Sequence, residues 1–265
     1  LRVRTYGIPG QPVVVVHGGP GAAGYLEPLA RPLGRRFQVF EPFQRRSGEV
    51  PLAVSQHVAD LQAVVEDRCS GKKPVVVGHS WGAMLALCHA AAHPLSVAGV
   101  VLVGCGTFDP GARAEMEEIL AARVPGEIKE RMARVLESDG EDDERFLEMG
   151  RLLLPYYSCD PDLSLLTFVH GDARGHRETW QDMLRLQEEG VVPAAFSGIE
   201  APVLMLHGAM DPHPGAMIKR SLGRFLSRLE YREWERCGHY PWLEREVKDE
   251  FLAALEEWVD RCHRS

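Results

Sequence analysis

The sequence predicts an α/β fold: a mostly parallel sheet with helices on both faces, and a helical segment inserted near the middle. Three observations carry this. Short apolar runs alternate with helical patterns at both ends of the chain, which is how parallel strands joined by crossover helices read. Two of those runs are almost pure valine, Val13–Val16 and Pro74–Val77, as expected for strands buried on both faces. Between about residues 106 and 198 the alternation stops, and helical spacing takes over.

Taken in order, strands are expected near 2–6, 13–16, 37–41, 74–79, 98–103, 202–207 and 229–235. Helices are expected near 22–33, 55–69, 81–93, 214–226 and 244–262. In the last of these Val247, Phe251, Leu255 and Val259 recur every four residues, and Leu252 and Trp258 widen the stripe. The middle segment has no convincing strand. It carries Met116, Ile119 and Leu120, then Ile128, Met132, Val135 and Leu136, then Trp180, Met183 and Leu184. Residues 1–105 and 199–265 are therefore expected to form one core domain, and 106–198 an all-helical lid.

Chemistry is concentrated at Gly78-His79-Ser80-Trp81-Gly82, a G-x-S-x-G. It follows one of the valine strands and opens a small-residue helical run, the strand–turn–helix setting in which such a serine becomes a nucleophile. A serine hydroxyl needs a base, and the base needs an acid to orient it. In this setting the chain order is serine, acid, histidine. Asp211 lies just past the strand 202–207, and His239 follows the strand 229–235 with Pro241 at an expected helix start. Of the 11 histidines His239 is the best placed. His57, His89 and His93 read as structural or solvated. His213 is a rival, but it shares a loop with Asp211 and would need another acid. Asp109 is the alternative acid. His239 is expected within about 3.5 Å of both the Ser80 hydroxyl and an Asp211 carboxylate oxygen. Backbone N–H groups must face the developing oxyanion. Trp81, directly after the serine, and Gly19 in His17-Gly18-Gly19-Pro20-Gly21 are the expected donors, with His17 bracing the loop. Gly18, Tyr156 and Phe168 are candidate substrate contacts.

These motifs resemble the α/β-hydrolase superfamily and, within it, the proline iminopeptidase branch. The resemblance rests on the loop His17–Gly21, the elbow Gly78–Ala83, the acid loop His207–Asp211, and Gly238-His239-Tyr240-Pro241 with Glu244. The branch has Asp-Gln-Arg-Gly-x-Gly where this chain has Phe43-Gln44-Arg45-Arg46-Ser47-Gly48. It also has a larger helical lid whose acids hold the substrate's amino terminus. The resemblance implies a serine hydrolase working through an acyl-enzyme, with no metal or cofactor required. One substrate reading is a short peptide or other N-terminal aminoacyl substrate. Another is a small apolar ester or lactone, or a C–C bond beside an activated ketone. A non-catalytic ligand-binding protein on the same fold is a third reading.

Composition bounds the rest. The chain has 265 residues, 45% of them hydrophobic, enough for one large core. Net charge is −8, which argues against a nucleic-acid partner. No run of 18 apolar residues suggests a membrane span. No secretory leader is visible, and the six cysteines form no C-x-x-C, so a cytoplasmic location with reduced thiols is expected. Residues 106–198 hold 20 acidic and 10 basic residues, so the net negative charge resides there. That is either a solvated surface or a field that attracts a cationic group such as a free amino terminus.

Overall fold

In a computed structural model that describes residues 1–166 and 169–264, the seven expected strands form one sheet. They are β1 (Val3–Tyr6), β2 (Pro12–Val16), β4 (Gln38–Pro42), β5 (Val75–His79), β6 (Gly99–Val103), β8 (Val203–Gly208) and β9 (Leu229–Trp234). The order across the sheet is β1-β4-β2-β5-β6-β8-β9. Every neighbouring pair is parallel except β1 with β4.

The valine runs explain why the sheet is covered on both faces. Side chains alternate along a strand. Val14, Val16, Val76, Val100, Leu102 and Met205 pack on one face, against α2 (Val54–Arg68), α3 (Trp81–Ala92) and α8 (Gly215–Leu222). Val13, Val15, Val75, Val77, Val101 and Leu206 pack on the other, against α1 (Glu27–Leu33) and α9 (Lys248–Arg264). The expected stripe of the last helix appears as buried Phe251, Leu255, Trp258 and Val259.

Two helix starts differ from expectation. The first helix begins at Glu27 rather than 22, because Ala22–Ala23 (β3) pairs antiparallel with His170–Gly171 (β7). The last begins at Lys248, so Pro241 lies in a turn. The turn is held by the Glu244 carboxylate, which accepts from the backbone N–H of Gly238, Cys159 and Asp160. Trp242 and Leu243 point into the core from it.

Between β6 and β8 the chain forms α4 (Pro110–Arg123), α5 (Gly126–Glu137), α6 (Asp142–Leu153) and α7 (Ala173–Glu188). The segment is not all-helical, since β7 lies in it. A two-residue strand leaves no periodicity to read. Among the described residues no helix is long and apolar enough to cross a membrane.

Several histidines are structural. His57 is buried on Thr179, and His89 on Gln62. Burial holds His17, His57 and His89 each down to about 4. Unfolded imidazoles titrate near 6.5, so between these values the unfolded chain binds more protons than the folded one. The histidine contribution to stability is full above about pH 6.5 and is lost as pH falls toward about 4. Melting temperature should therefore decline steadily across that window; a flat profile would contradict the burial argument.

Candidate active site

Ser80 sits on a sharp turn between β5 and α3. Its backbone is at φ 57°, ψ −121°, a strained conformation for a residue with a side chain. The turn closes only because its flanks are glycine. A Cβ on Gly78 would stand 2.2 Å from the Gly82 carbonyl oxygen, and one on Gly82 would stand 2.1 Å from that of Val16. The strain turns the hydroxyl away from the sheet toward a cavity of about 490 Å³. Ser80, His239, His213, Gly19 and Trp81 all line that cavity.

Asp211, past the end of β8, is fully buried. Its Oδ2 accepts from His239 Nδ1 at 2.7 Å. With its proton on Nδ1, His239 keeps Nε2 as the free acceptor. Among the described residues no direct hydrogen bond joins that ring to the Ser80 hydroxyl. Burial alone would raise the Asp211 carboxyl, but His239, His213 and His207 around it hold it well below the usual carboxylate range. Burial also lowers His239, against the pull of Asp211, so its imidazole is neutral near pH 7.

The two rivals separate clearly. Asp109 is spent as the N-cap of α4, accepting from Ala112 N–H at 2.8 Å. His213 does not need another acid: its Nδ1 lies 2.9 Å from Asp211 Oδ1, so the two histidines share one carboxylate. Asp211, His213 and His239 also place ligand-type atoms within 4.8 Å of one another. Both Nδ1 atoms are committed to the carboxylate, and the two rings stack with their planes 17° apart. Lone pairs of nearly parallel rings run side by side rather than converging on one tetrahedral centre.

Trp81 is the first residue of α3, so its N–H has no partner within the helix. Gly19, at φ +43°, lines the same cavity. Gly18 is committed elsewhere: its N–H donates to the Tyr25 hydroxyl at 2.7 Å, which makes it a brace. The Tyr25 hydroxyl meets His79 Nδ1 at 2.6 Å, and His79 Nε2–H donates to the His239 carbonyl at 2.9 Å. A buried tyrosine and histidine thus tie the glycine loop to the His239 loop. Tyr157, not Tyr156, reaches the cavity, and its carbonyl accepts from His239 N–H at 2.7 Å. Phe168 lies outside the described residues.

Sequence reasoning did not single out Gln44. Its backbone N–H donates to His17 Nε2, its side-chain amide to the His17 carbonyl, and its Oε1 accepts from Trp81 Nε1. It therefore couples the two backbone segments that carry Gly19 and Trp81. The only signal was its place in the Phe43–Gly48 stretch. The residues that depart from the branch pattern are engaged in contacts of their own. Phe43 lies under the Arg2 and Arg4 guanidiniums, Arg46 reaches Asp143 and the Gly171 carbonyl, and Ser47 binds Asp172. If the Gly19 and Trp81 N–H groups are the oxyanion donors, Gln44→Ala should lower kcat about tenfold with little change in KM, because it loosens the segments that carry them. A change confined to KM would contradict that role.

The family model for the alpha/beta hydrolase family matches residues 13–254. The chain belongs to the alpha/beta hydrolase family. It is an enzyme of hydrolase type. In sequence the hydrolase is 23% identical over 272 residues to a proline iminopeptidase of Lactobacillus helveticus, covering 94% of this chain and 90% of the relative. In structure it matches a putative aryl esterase from Burkholderia cenocepacia with a TM-score of 0.68 at 22% identity, covering 99% of this chain and 95% of that one. It also matches Est816, an N-acyl homoserine lactone degrading enzyme, with a TM-score of 0.63 at 20% identity, covering 97% and 96%.

Proposed function

We propose that the protein is a serine hydrolase for apolar carboxylic esters. The observation that carries the reading is Ser80, held in a strained turn at a cavity that also receives a histidine anchored on a buried aspartate. The Ser80 hydroxyl attacks the substrate carbonyl as His239 Nε2 takes its proton. Asp211 holds His239 in the tautomer that leaves Nε2 free and stabilises the imidazolium. The oxyanion lies against the N–H groups of Gly19 and Trp81. His239 then protonates the leaving group, and water activated by the same histidine releases the acyl group. Residues 106–198 serve as a lid over this centre. The Ser80–His239 contact closes when substrate settles, as catalytic hydrogen bonds often do.

The cavity wall favours an apolar substrate. Met84, Met116, Phe146, Leu153 and Trp180 line it, and among the described lining residues there is no carboxylate. Its volume is in the range of small-molecule sites. Acids of residues 106–198 pair instead with surface arginines: Asp143 with Arg46, Glu148 with Arg131, Glu178 with Arg174, Asp182 with Arg185. That supports a solvated surface rather than a seat for an amino terminus. A second reading, release of an N-terminal amino acid, is supported by the full-length likeness to proline iminopeptidases. A panel of aryl esters, aminoacyl-arylamides and their N-acetylated forms separates the two. Apolar aryl esters should turn over best, and acetylation should change kcat/KM little. A desolvated charge pair at the amino group would make acetylation cost roughly tenfold or far more, and such a loss would establish the aminopeptidase reading.

A further inference from the structure

We propose that His213 is a positioning residue for His239: it grips the second oxygen of Asp211 and lies face to face with the base, so that one carboxylate orients two imidazoles. This rests on the reading of Ser80, Asp211 and His239 as the reacting groups.

Asp211 Oδ1 accepts twice from His213, from the backbone N–H and from ring Nδ1, each at 2.9 Å. Asp211 Oδ2 faces His239 Nδ1 at 2.7 Å. A carboxylate held by one oxygen can turn about its terminal torsion, which is soft. Held by both, it keeps Oδ2 aimed at the base. His213 is itself fixed. Prolines 212 and 214 restrict the backbone on either side. His207 Nε2–H donates to the His213 carbonyl at 2.9 Å. The Tyr157 ring touches both imidazoles, 5.9 Å from His213 and 5.4 Å from His239.

The arrangement also bears on protonation. The His213 and His239 rings stack with centroids 4.6 Å apart and planes 17° apart. Two positive rings at that spacing repel, and each N–H on Asp211 draws off charge that would otherwise favour imidazolium. The other groups around His239 are His79 at the end of β5, His207 on β8, Tyr157, Tyr240, and Glu244 on the Gly238 N–H. Arg123, from α4, donates to the Met210 carbonyl next to Asp211. None of these binds Asp211 Oδ1, so the effect of removing His213 is separable from theirs.

The base works only when neutral, so the acid limb of kcat/KM follows the protonation of His239. His213→Leu removes the ring N–H on Oδ1 and the stacked ring, and leaves the backbone N–H on Oδ1 in place. His213→Asn keeps an N–H at the Nδ1 position and removes only the ring. The experiment measures pH profiles of kcat/KM on an aryl ester for the protein and both variants. In parallel, the His239 ring proton is titrated by NMR in a Ser80→Ala background without substrate. In His213→Leu both midpoints should rise by about one pH unit, and the plateau rate should fall about tenfold as Oδ1, left with the backbone N–H alone, holds Oδ2 less firmly on the base. In His213→Asn the midpoints should rise less and the plateau should recover most of the loss. Unchanged midpoints in both variants, with only a uniform loss of rate, would overturn the proposal. Should the leucine variant fail to fold, the asparagine variant alone still decides the midpoint. Ser80→Ala keeping full activity, with the NMR midpoint still moving, would sink the serine mechanism but uphold the His213 coupling. Ser80→Ala inactive, with static midpoints, would sink the coupling alone.

Discussion

Ser80→Ala is expected to reduce ester turnover by a factor on the order of 10⁴ or more while leaving the fold intact. The residue sits at φ 57° in the cavity lining, and the glycines at 78 and 82 give the turn its room. Alanine keeps the Cβ, so backbone strain and packing are conserved and only the oxygen is lost. Whatever rate remains is expected to come from binding and from the proposed oxyanion donors, the N–H groups of Gly19 and Trp81. Kinetics and a melting curve on the same preparation check this: lost turnover at an unchanged melting temperature is the expected pair. Turnover within tenfold of the parent would remove Ser80 from the chemistry.

Asp211→Asn is expected to cost a comparable factor, on the order of 10⁴. The carboxylate accepts from three N–H groups, two on His213 and one on His239. An asparagine offers one acceptor oxygen and one donor amide. If its oxygen stays with His213, the amide faces His239 Nδ1 and drives the imidazole proton to Nε2, where the base must be bare. If its oxygen turns to His239, the bonds to His213 break and the loop loosens. Either placement disables the site, and the fully buried position lets no water substitute. Loss should persist across pH, because raising pH does not restore the tautomer. A loss under tenfold would mean that another group orients His239.

How much of this was readable from sequence depends on the range over which each feature is encoded. The sheet was legible because Val13–Val16 and Val75–Val77 carry their burial in their own side chains. The elbow was legible because its glycines are adjacent to the serine they serve. The positions of Asp211 and His239, each just past a strand end, followed from chain order. Gln44 was not legible: its three bonds join segments 27 and 37 residues away, and nothing local marks it. Tyr157 was missed by one position. The chain there is a 3₁₀ turn, Leu154–Tyr157, in which successive side chains point about 120° apart. The late start of α9 has a similar cause. Glu244 reads as a helix residue but is recruited by backbone N–H groups of Cys159 and Asp160, some 85 residues away. His213 reads as a weak candidate because it shares a loop with Asp211, and the fold-back that lays its ring on that carboxylate depends on loop geometry that spacing does not reveal.

The most direct measurement on the central claim is covalent. The protein is treated with a fluorophosphonate, digested, and the adduct located by mass spectrometry, alongside Ser80→Ala and Asp211→Asn. The account expects one adduct per chain, on the peptide containing Ser80, absent from the alanine variant and formed far more slowly in the asparagine variant. An adduct on another residue, or one that survives in Ser80→Ala, would contradict it.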